Sequence, residues 1–392
     1  MKNKWFYLIS VILVIGAVLL GACTPTTTTT APETNQAEDA PATDEEMVAE
    51  APAEQTTEES TGVTIEDSAG NVIELAGLPQ RVVVAGKATP YTLGTTYVFE
   101  EASERIVAQE LRGLTIPEFL SLIDPKYDEK IQLEMDASAE QIAPVNPDIV
   151  ITKNYVVKSL KESLDPLGIP VVGLNMETPE VFYKDINMLG QLFGNPERAD
   201  EVNAYLQEKV AYVKTAMDGL ADEDKPTVLV IQYSDQDGEV AFKVPPVSYI
   251  QTTMVIDGGG IPIWADEATR EESNWIVVNF EQIAAWNPDV ILVIDYKGNP
   301  QETAATLKQS DLWQELNAVK NDKVFGFGKD YQGWDLPDPR WILGYTWTAT
   351  KLQPDRMAGV DMTAMVKEFY RFMYRLTDEQ IETNILPIVY AD

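Results

Sequence analysis

Any chemistry done by this chain has to come from oxygen, ammonium and aromatic groups. No histidine occurs in its 392 residues, and the single cysteine is Cys23. That removes Ser-His and Cys-His nucleophile pairs, and with them the imidazole and thiolate ligands of ordinary zinc, copper and haem-iron sites. No resident metal, no cofactor and no catalytic set is expected. Carboxylates remain formally open, since 63 acids allow some pair to meet, and Asp330 with Asp335 is the nearest candidate for a hydrolytic dyad. A phosphate-binding loop fails. "AGKATP" supplies Gly86 and Lys87, but the glycine required five residues before Gly86 is Arg81.

A more coherent set lies just beyond the apolar runs that read as strands. After "RVVVAG" come Lys87, Thr89 and Tyr91; after "RIVAQ", Arg112; after "DIVIT", Lys153, Asn154 and Tyr155. In the second half, Lys243, Tyr249, Asn274, Trp275, Tyr331, Gln332, Trp334 and Arg340 hold comparable places. Open α/β sheets bind ligands at the carboxyl ends of their strands. Taken together these residues favour an anionic ligand with some flat or apolar surface. Taken singly, Lys and Arg also sit at loop ends for solubility. Arg340, in "DPR", has a second reading as a structural residue packing the last helix.

Two scaffolds are needed to carry this set. "EQIAPVNPDIVIT", from Glu140, returns as "EQIAAWNPDVILV", from Glu281, with seven of thirteen positions identical and 141 residues between the copies. Solenoid repeats recur every roughly 20 to 50 residues, so this spacing is that of a domain. Each copy reads as a short helix, an Asn-Pro-Asp turn and a buried strand. Further strands, "IPVVGL", "PTVLVIQY" and "KVFGFG", alternate with helical patterns, which predicts two Rossmann-like α/β lobes with mostly parallel sheets. A β-hairpin, "VTIEDSAGNVIEL", opens the first lobe, and the Gly-rich "DGGGIP" reads as a helix-to-strand turn. Between the lobes, Asn195 as N-cap and Pro196 at the first position start a helix with Val202, Tyr205, Leu206, Val210 and Val213 at helical spacing. About 22 residues give it roughly 33 Å, one rigid connection. The expected lobes are 63–194 and 220–392, joined by the helix 195–219 and closed by the helices "RWILGYTWTATKL" and "MTAMVKEFYRFMYRL".

Residues 1–23 read as a secretory signal: Lys2 and Lys4, an apolar run from Trp5 to Leu20, then Leu20-Gly21-Ala22-Cys23. The run is too short for a comfortable membrane span. Its end resembles the lipobox of bacterial lipoproteins, which implies a lipidated Cys23 and attachment to the outer face of the cell membrane, since two or more acyl chains anchor stably. Residues 24–62 hold ten acids, no Lys or Arg and almost no large apolar side chain. Such a segment reads as a disordered tether. The whole chain carries −34; without the two signal lysines and the tether acids the folded body carries −26. A body so acidic repels nucleic acid and anionic headgroups, and with one cysteine it has no disulfide to rely on.

With lobes, connecting helix, anchor and tether in view, the chain resembles the substrate-binding lipoproteins of ABC importers, in the class for ferric siderophores, haem and cobalamin. The resemblance rests on the hairpin with "LPQRVVV", both "EQIA..NPD" phrases, "LDPLGIPVV", "LGQLFGNPERA", "AVKNDKVFGF" and "WDLPDPRWILG", spanning nearly all of Val63 to Pro354. It implies a monomer that captures a metal chelate, most simply a ferric siderophore, without catalysis, and hands it to a permease dimer. Molybdate or tungstate, cobalamin, and a carboxylate-dependent hydrolase on the same scaffold are the alternatives. It also implies that Trp275 stands where cobalamin binders carry a cleft Trp. Lys153 and Arg112 replace an aromatic and a Tyr, moving the pocket towards positive charge. Glu140 and Glu281 match the acids that pair with an Arg on each permease subunit, and the long helix limits lobe movement to a few degrees.

Overall fold

Inward-facing Ile65 and Ile73 pair across an antiparallel hairpin, β1 (Val63–Glu66) and β2 (Val72–Leu75), turned at Gly70 with φ 79°. The computed structural model describes residues 62–113, 117–236, 239–266 and 274–389, all within one compact unit. Cys23, the signal segment and tether residues 24–61 lie outside the described residues.

The first lobe is built on five parallel strands in the order β5-β4-β3-β6-β7: β3 (Val82–Val84), β4 (Ile106–Glu110), β5 (Ile131–Leu133), β6 (Ile149–Lys153) and β7 (Val171–Leu174). Their apolar residues do not alternate with polar ones, because both faces are covered. Val82, Val84, Ile149 and Ile151 enter one apolar cluster, while Val83, Val150 and Val171 enter another on the opposite face. The second lobe contains β8 (Thr227–Gln236), β9 (Glu239–Val244), β10 (Ile261–Pro262), β11 (Ile276–Val278), β12 (Val290–Ile294) and β13 (Val324–Gly326), ordered β11-β9-β8-β12-β13 with β10 beside β8. Its β8, β10, β12 and β13 run parallel, but β9 and β11 add an antiparallel wing that the first lobe lacks. "DGGGIP" is the expected turn: a helix ends at Asp257, Gly259 takes φ 80°, and β10 follows.

The echoed phrase has a local structural cause. Asn146 and Asn287 both adopt the left-handed conformation, at φ 50° and 43°, which Asn tolerates better than most residues. The Asp two places later then holds the start of the neighbouring strand. Asp148 Oδ2 accepts from the Gln80 and Arg81 amides at 2.7 and 2.9 Å, and Asp289 Oδ2 from the Thr227 amide and hydroxyl at 2.9 and 2.7 Å. The strands that follow occupy equivalent positions, β6 beside β3 and β12 beside β8.

Helix Pro196–Met217 joins the lobes. The Asn195 side chain accepts from the Arg198 amide at 3.0 Å, and Val202, Leu206 and Val213 are fully buried. Helix Trp341–Leu352 is apolar nearly all round and packs on the connecting helix and on helix Ile250–Asp257. Helix Met362–Tyr374, near the C-terminus, returns to the first lobe. There the Tyr374 hydroxyl donates to Gly94 O at 3.1 Å, and Arg375 donates to Tyr97 O and Val98 O, each at 2.9 Å.

Candidate functional site

The carboxyl ends of β3, β4, β6 and β7 face those of β8 and β12 across a cleft of three adjoining hollows. The first, about 650 Å³, is lined by Lys87, Tyr91 and Arg112 from one lobe and by Gln232 to Asp235, Lys243 and Asp295 to Gly298 from the other. The second, about 630 Å³, shares Lys87, Tyr91 and Tyr296 and adds Lys153, Tyr155, Glu177, Tyr249, Gln251, Asn274, Trp275, Leu336 and Pro337. A third of about 220 Å³ adjoins through Gly113, Tyr296 and Leu336 and holds Lys329, Tyr331 and Gln332.

Eleven residues expected from the sequence therefore line the cleft: Lys87, Tyr91, Arg112, Lys153, Tyr155, Lys243, Tyr249, Asn274, Trp275, Tyr331 and Gln332. Four do not. The buried Thr89 hydroxyl donates to Gly86 O. The Asn154 side chain accepts from the Tyr155 amide at 2.9 Å, at the start of its own helix. Trp334, 2% exposed, donates its indole N–H to Asp330 Oδ2 at 2.8 Å. Arg340 is completely buried: Nε donates to Asp330 Oδ1 at 2.8 Å and Nη1 to Asp338 Oδ2 at 2.7 Å, while the guanidinium lies 4.3 Å from the centre of the Phe119 ring. Its structural reading is the one the contacts support. Asp330 also accepts from the Tyr370 hydroxyl at 2.6 Å, so it has no open face with which to form a dyad with Asp335.

This geometry offers a large open cleft with many aromatic and cationic groups, suited to holding a ligand. Residues 117–331 match the periplasmic binding protein family. The chain belongs to that family. It is a substrate-binding protein of ABC importers. It is 23% identical over 336 residues to the molybdate-binding protein MolA of Haemophilus influenzae, covering 80% of this chain and 88% of that one. It is 25% identical over 252 residues to the petrobactin-binding protein YclQ of Bacillus subtilis, covering 63% and 74%. Among solved structures, a periplasmic solute binding protein of Veillonella parvula superposes with a TM-score of 0.66 at 23% identity, covering 83% of this chain and 97% of the other.

In this binding protein the cations of the cleft are not equivalent. Lys153, expected to face the ligand, is 2% exposed; its ammonium donates to Asn175 O and pairs with Glu177 Oε1 at 2.8 Å. Burial pushes its pKa down, with Glu177 and Asp185 pulling the other way. Arg112 donates to Glu110 Oε1 at 2.6 Å and to Asp136 Oδ1 at 2.9 Å. Burial opposes its charge, yet hydrogen bonds to Asp136 and Glu110 override it and raise the pKa. Lys87, Lys243 and Lys297 have no ion pair among the described residues. They form the available positive charge of the first hollow. Its two lining acids are Asp235 and Asp295, and Asp295 is already engaged by the Lys297 and Gly298 amides at 3.0 and 2.7 Å and by the Thr303 hydroxyl at 2.8 Å.

Glu177 and Tyr296 were not in the expected set. Glu177 follows β7 by way of Met176, a non-glycine residue at φ 62°, a conformation that costs about 1 kcal/mol. Asp185 holds that turn by accepting from the Asn175 and Met176 amides, both at 2.8 Å. Tyr296 follows β12, where the strand-end rule that found the others also applies. It lines all three hollows and stacks edge-on to Trp275 at 6.5 Å.

Below Tyr296 lies Asp335, 1% exposed, accepting from its hydroxyl at 2.8 Å while Oδ1 has no partner among the described residues. Burial raises the Asp335 pKa from 3.8 to about 6, partly offset by Tyr296, Gln251 and Lys329. The native state then holds a proton that the unfolded chain releases, so this group removes stability as pH rises from about 4 to about 6 and leaves a constant penalty above that. A two-unit shift is worth about 3 kcal/mol. Asp335→Asn is therefore expected to raise stability above pH 6 by about 1–3 kcal/mol and to flatten the fall below it. Urea unfolding across that range measures both; an unchanged pH profile would remove Asp335 as a source of the penalty.

Proposed function

We propose that this chain is a lipid-anchored capture protein that binds an anionic metal chelate, a ferric siderophore, at the outer face of the cell membrane and delivers it to its permease. The observation that carries this is the first hollow: about 650 Å³ with three lysines that have no ion pair among the described residues, on a chain whose net charge is −34. Hollows of this size take ligands of many atoms, and a second one beside it offers Trp275 and four tyrosines. The petrobactin-binding relative supports the same ligand class. The MolA relative favours a second reading, molybdate or tungstate capture. Titration calorimetry with iron-loaded hydroxamate and catecholate chelates, molybdate and tungstate separates the two. Saturable oxyanion binding with no chelate bound would overturn the siderophore reading.

Ligand in the second hollow should quench or shift the fluorescence of Trp275, which lines it. Trp334, sealed against Asp330, should stay silent, so Trp275→Phe should abolish the response and Trp334→Phe should leave it. A response lost only with Trp334 would place the ligand elsewhere. Anchoring at Cys23 is checked by labelled palmitate, taken up by the wild type and not by Cys23→Ala. Delivery is proposed to use Glu140 and Glu281, each exposed in the first turn of its helix.

A further inference from the structure

The two large hollows of the cleft differ in the charge they present. In the second hollow a ligand meets Glu177 rather than Lys153. The Lys153 side chain is 1% exposed and lies behind, while the carboxylate it pairs with is 21% exposed and lines the wall. Around that carboxylate stand Tyr91, Tyr155, Tyr249, Tyr296 and Trp275. Burial first, with the negative charge of Glu177 among the further causes in every case, pushes up the phenol pKa values of those four tyrosines. Lys153 pairs with one oxygen of that carboxylate from behind, and the exposed edge, set among aromatic faces, is left to accept charge-assisted hydrogen bonds from a cation that the ring quadrupoles also attract. The first hollow, where Lys87, Lys243 and Lys297 have no ion pair among the described residues, attracts an anion. Lys87 lines both and stands at their boundary.

We propose that the cleft is two-ended: it selects a charge-separated ligand, with its anionic part against Lys243 and Lys297 and an ammonium or comparably N–H-rich cationic part against Glu177 and the tyrosines. This rests on the capture reading and narrows its ligand class. Glu177 then acts as a specificity determinant. It excludes an all-anionic chelate from the second hollow and fixes which way round the ligand lies. The strained Met176 turn, held by Asp185, keeps the carboxylate in place before any ligand arrives.

Small probes test the two ends without the natural ligand. Citrate and benzylammonium, titrated by calorimetry and by Trp275 fluorescence, should bind together, each with its affinity unreduced by saturation with the other. Glu177→Gln should weaken benzylammonium about tenfold and leave citrate no weaker. Removing this acid leaves Lys153 buried without its partner and could unfold the lobe. Tyr155→Leu, at a site 62% exposed, provides a second variant and should weaken benzylammonium about threefold. Lys243→Gln with Lys297→Gln should weaken citrate about tenfold and spare benzylammonium. Mutual competition overturns the proposal. So does benzylammonium binding that is absent, or indifferent to both Glu177→Gln and Tyr155→Leu. Probes behaving as expected while no ferric chelate binds would sink the siderophore reading and leave the two-ended cleft standing; chelate binding with no ammonium subsite would do the reverse.

Discussion

Replacing Lys87, Lys243 and Lys297 together by Glu is expected to weaken capture of an anionic ferric chelate at least 100-fold, about 2.7 kcal/mol or more. Each change turns an ammonium lining the first hollow into a repulsive charge. The effect should be large because none of the three is held in an ion pair among the described residues. Arg112 is the opposite case. Arg112→Gln releases Glu110, whose side chain is fully buried, and should cost stability before it costs affinity. Raising salt should weaken the wild type and bring it closer to the triple variant, since part of the attraction is screened. Calorimetry at two ionic strengths checks this. Wild-type affinity in the triple variant would show that the lysines serve solubility alone.

The comparison of Lys243 with Arg340 shows how far the sequence carries. From the apolar runs both are expected just beyond strands, but Lys243 lies within β9 and Arg340 caps the helix that starts at Trp341. Nor does the sequence say whether the side chain turns to the cleft or inward. That choice depends on partners supplied by other segments: Phe119, Asp330 and Tyr370 close round Arg340, and only Asp338 is a near neighbour in the chain. Lys153 shows the same limit. Its place in the cleft was legible, but its counter-ion Glu177 comes from beyond another strand, presented by a left-handed Met that no propensity would predict. By contrast the parallel sheets, the Asn195 cap and the long helix were readable, because apolar runs and capping residues act locally. The antiparallel wing of β9 and β11 was not, since a short apolar run has the same pattern in either direction.

The echoed phrase holds one feature that the fold leaves unexplained. Its Asn and Asp are accounted for: a left-handed Asn146 or Asn287 turns the chain, and Asp148 or Asp289 fixes the neighbouring strand. Its glutamate is not. Glu140 and Glu281 are exposed, and neither has an ion pair among the described residues. A carboxylate in the first turn gains only some tenths of a kcal/mol from the helix dipole, and that does not require the same residue in both lobes. On the delivery role proposed above, an acid repeated on both lobes would meet one cation on each half of a two-fold permease. Glu140→Ala with Glu281→Ala should therefore leave the unfolding midpoint and chelate affinity of the purified protein unchanged. Uptake through the reconstituted importer should fall by a factor of ten or more, since two charge-assisted contacts of about 1–2 kcal/mol each are lost. Each single variant should fall between, because one lobe would still be held. Charge exchange sharpens the test: Glu140→Arg with Glu281→Arg should transport less than the alanine pair, as repulsion replaces mere absence. Full transport by the double alanine variant would reduce the echo to shared folding of the two lobes.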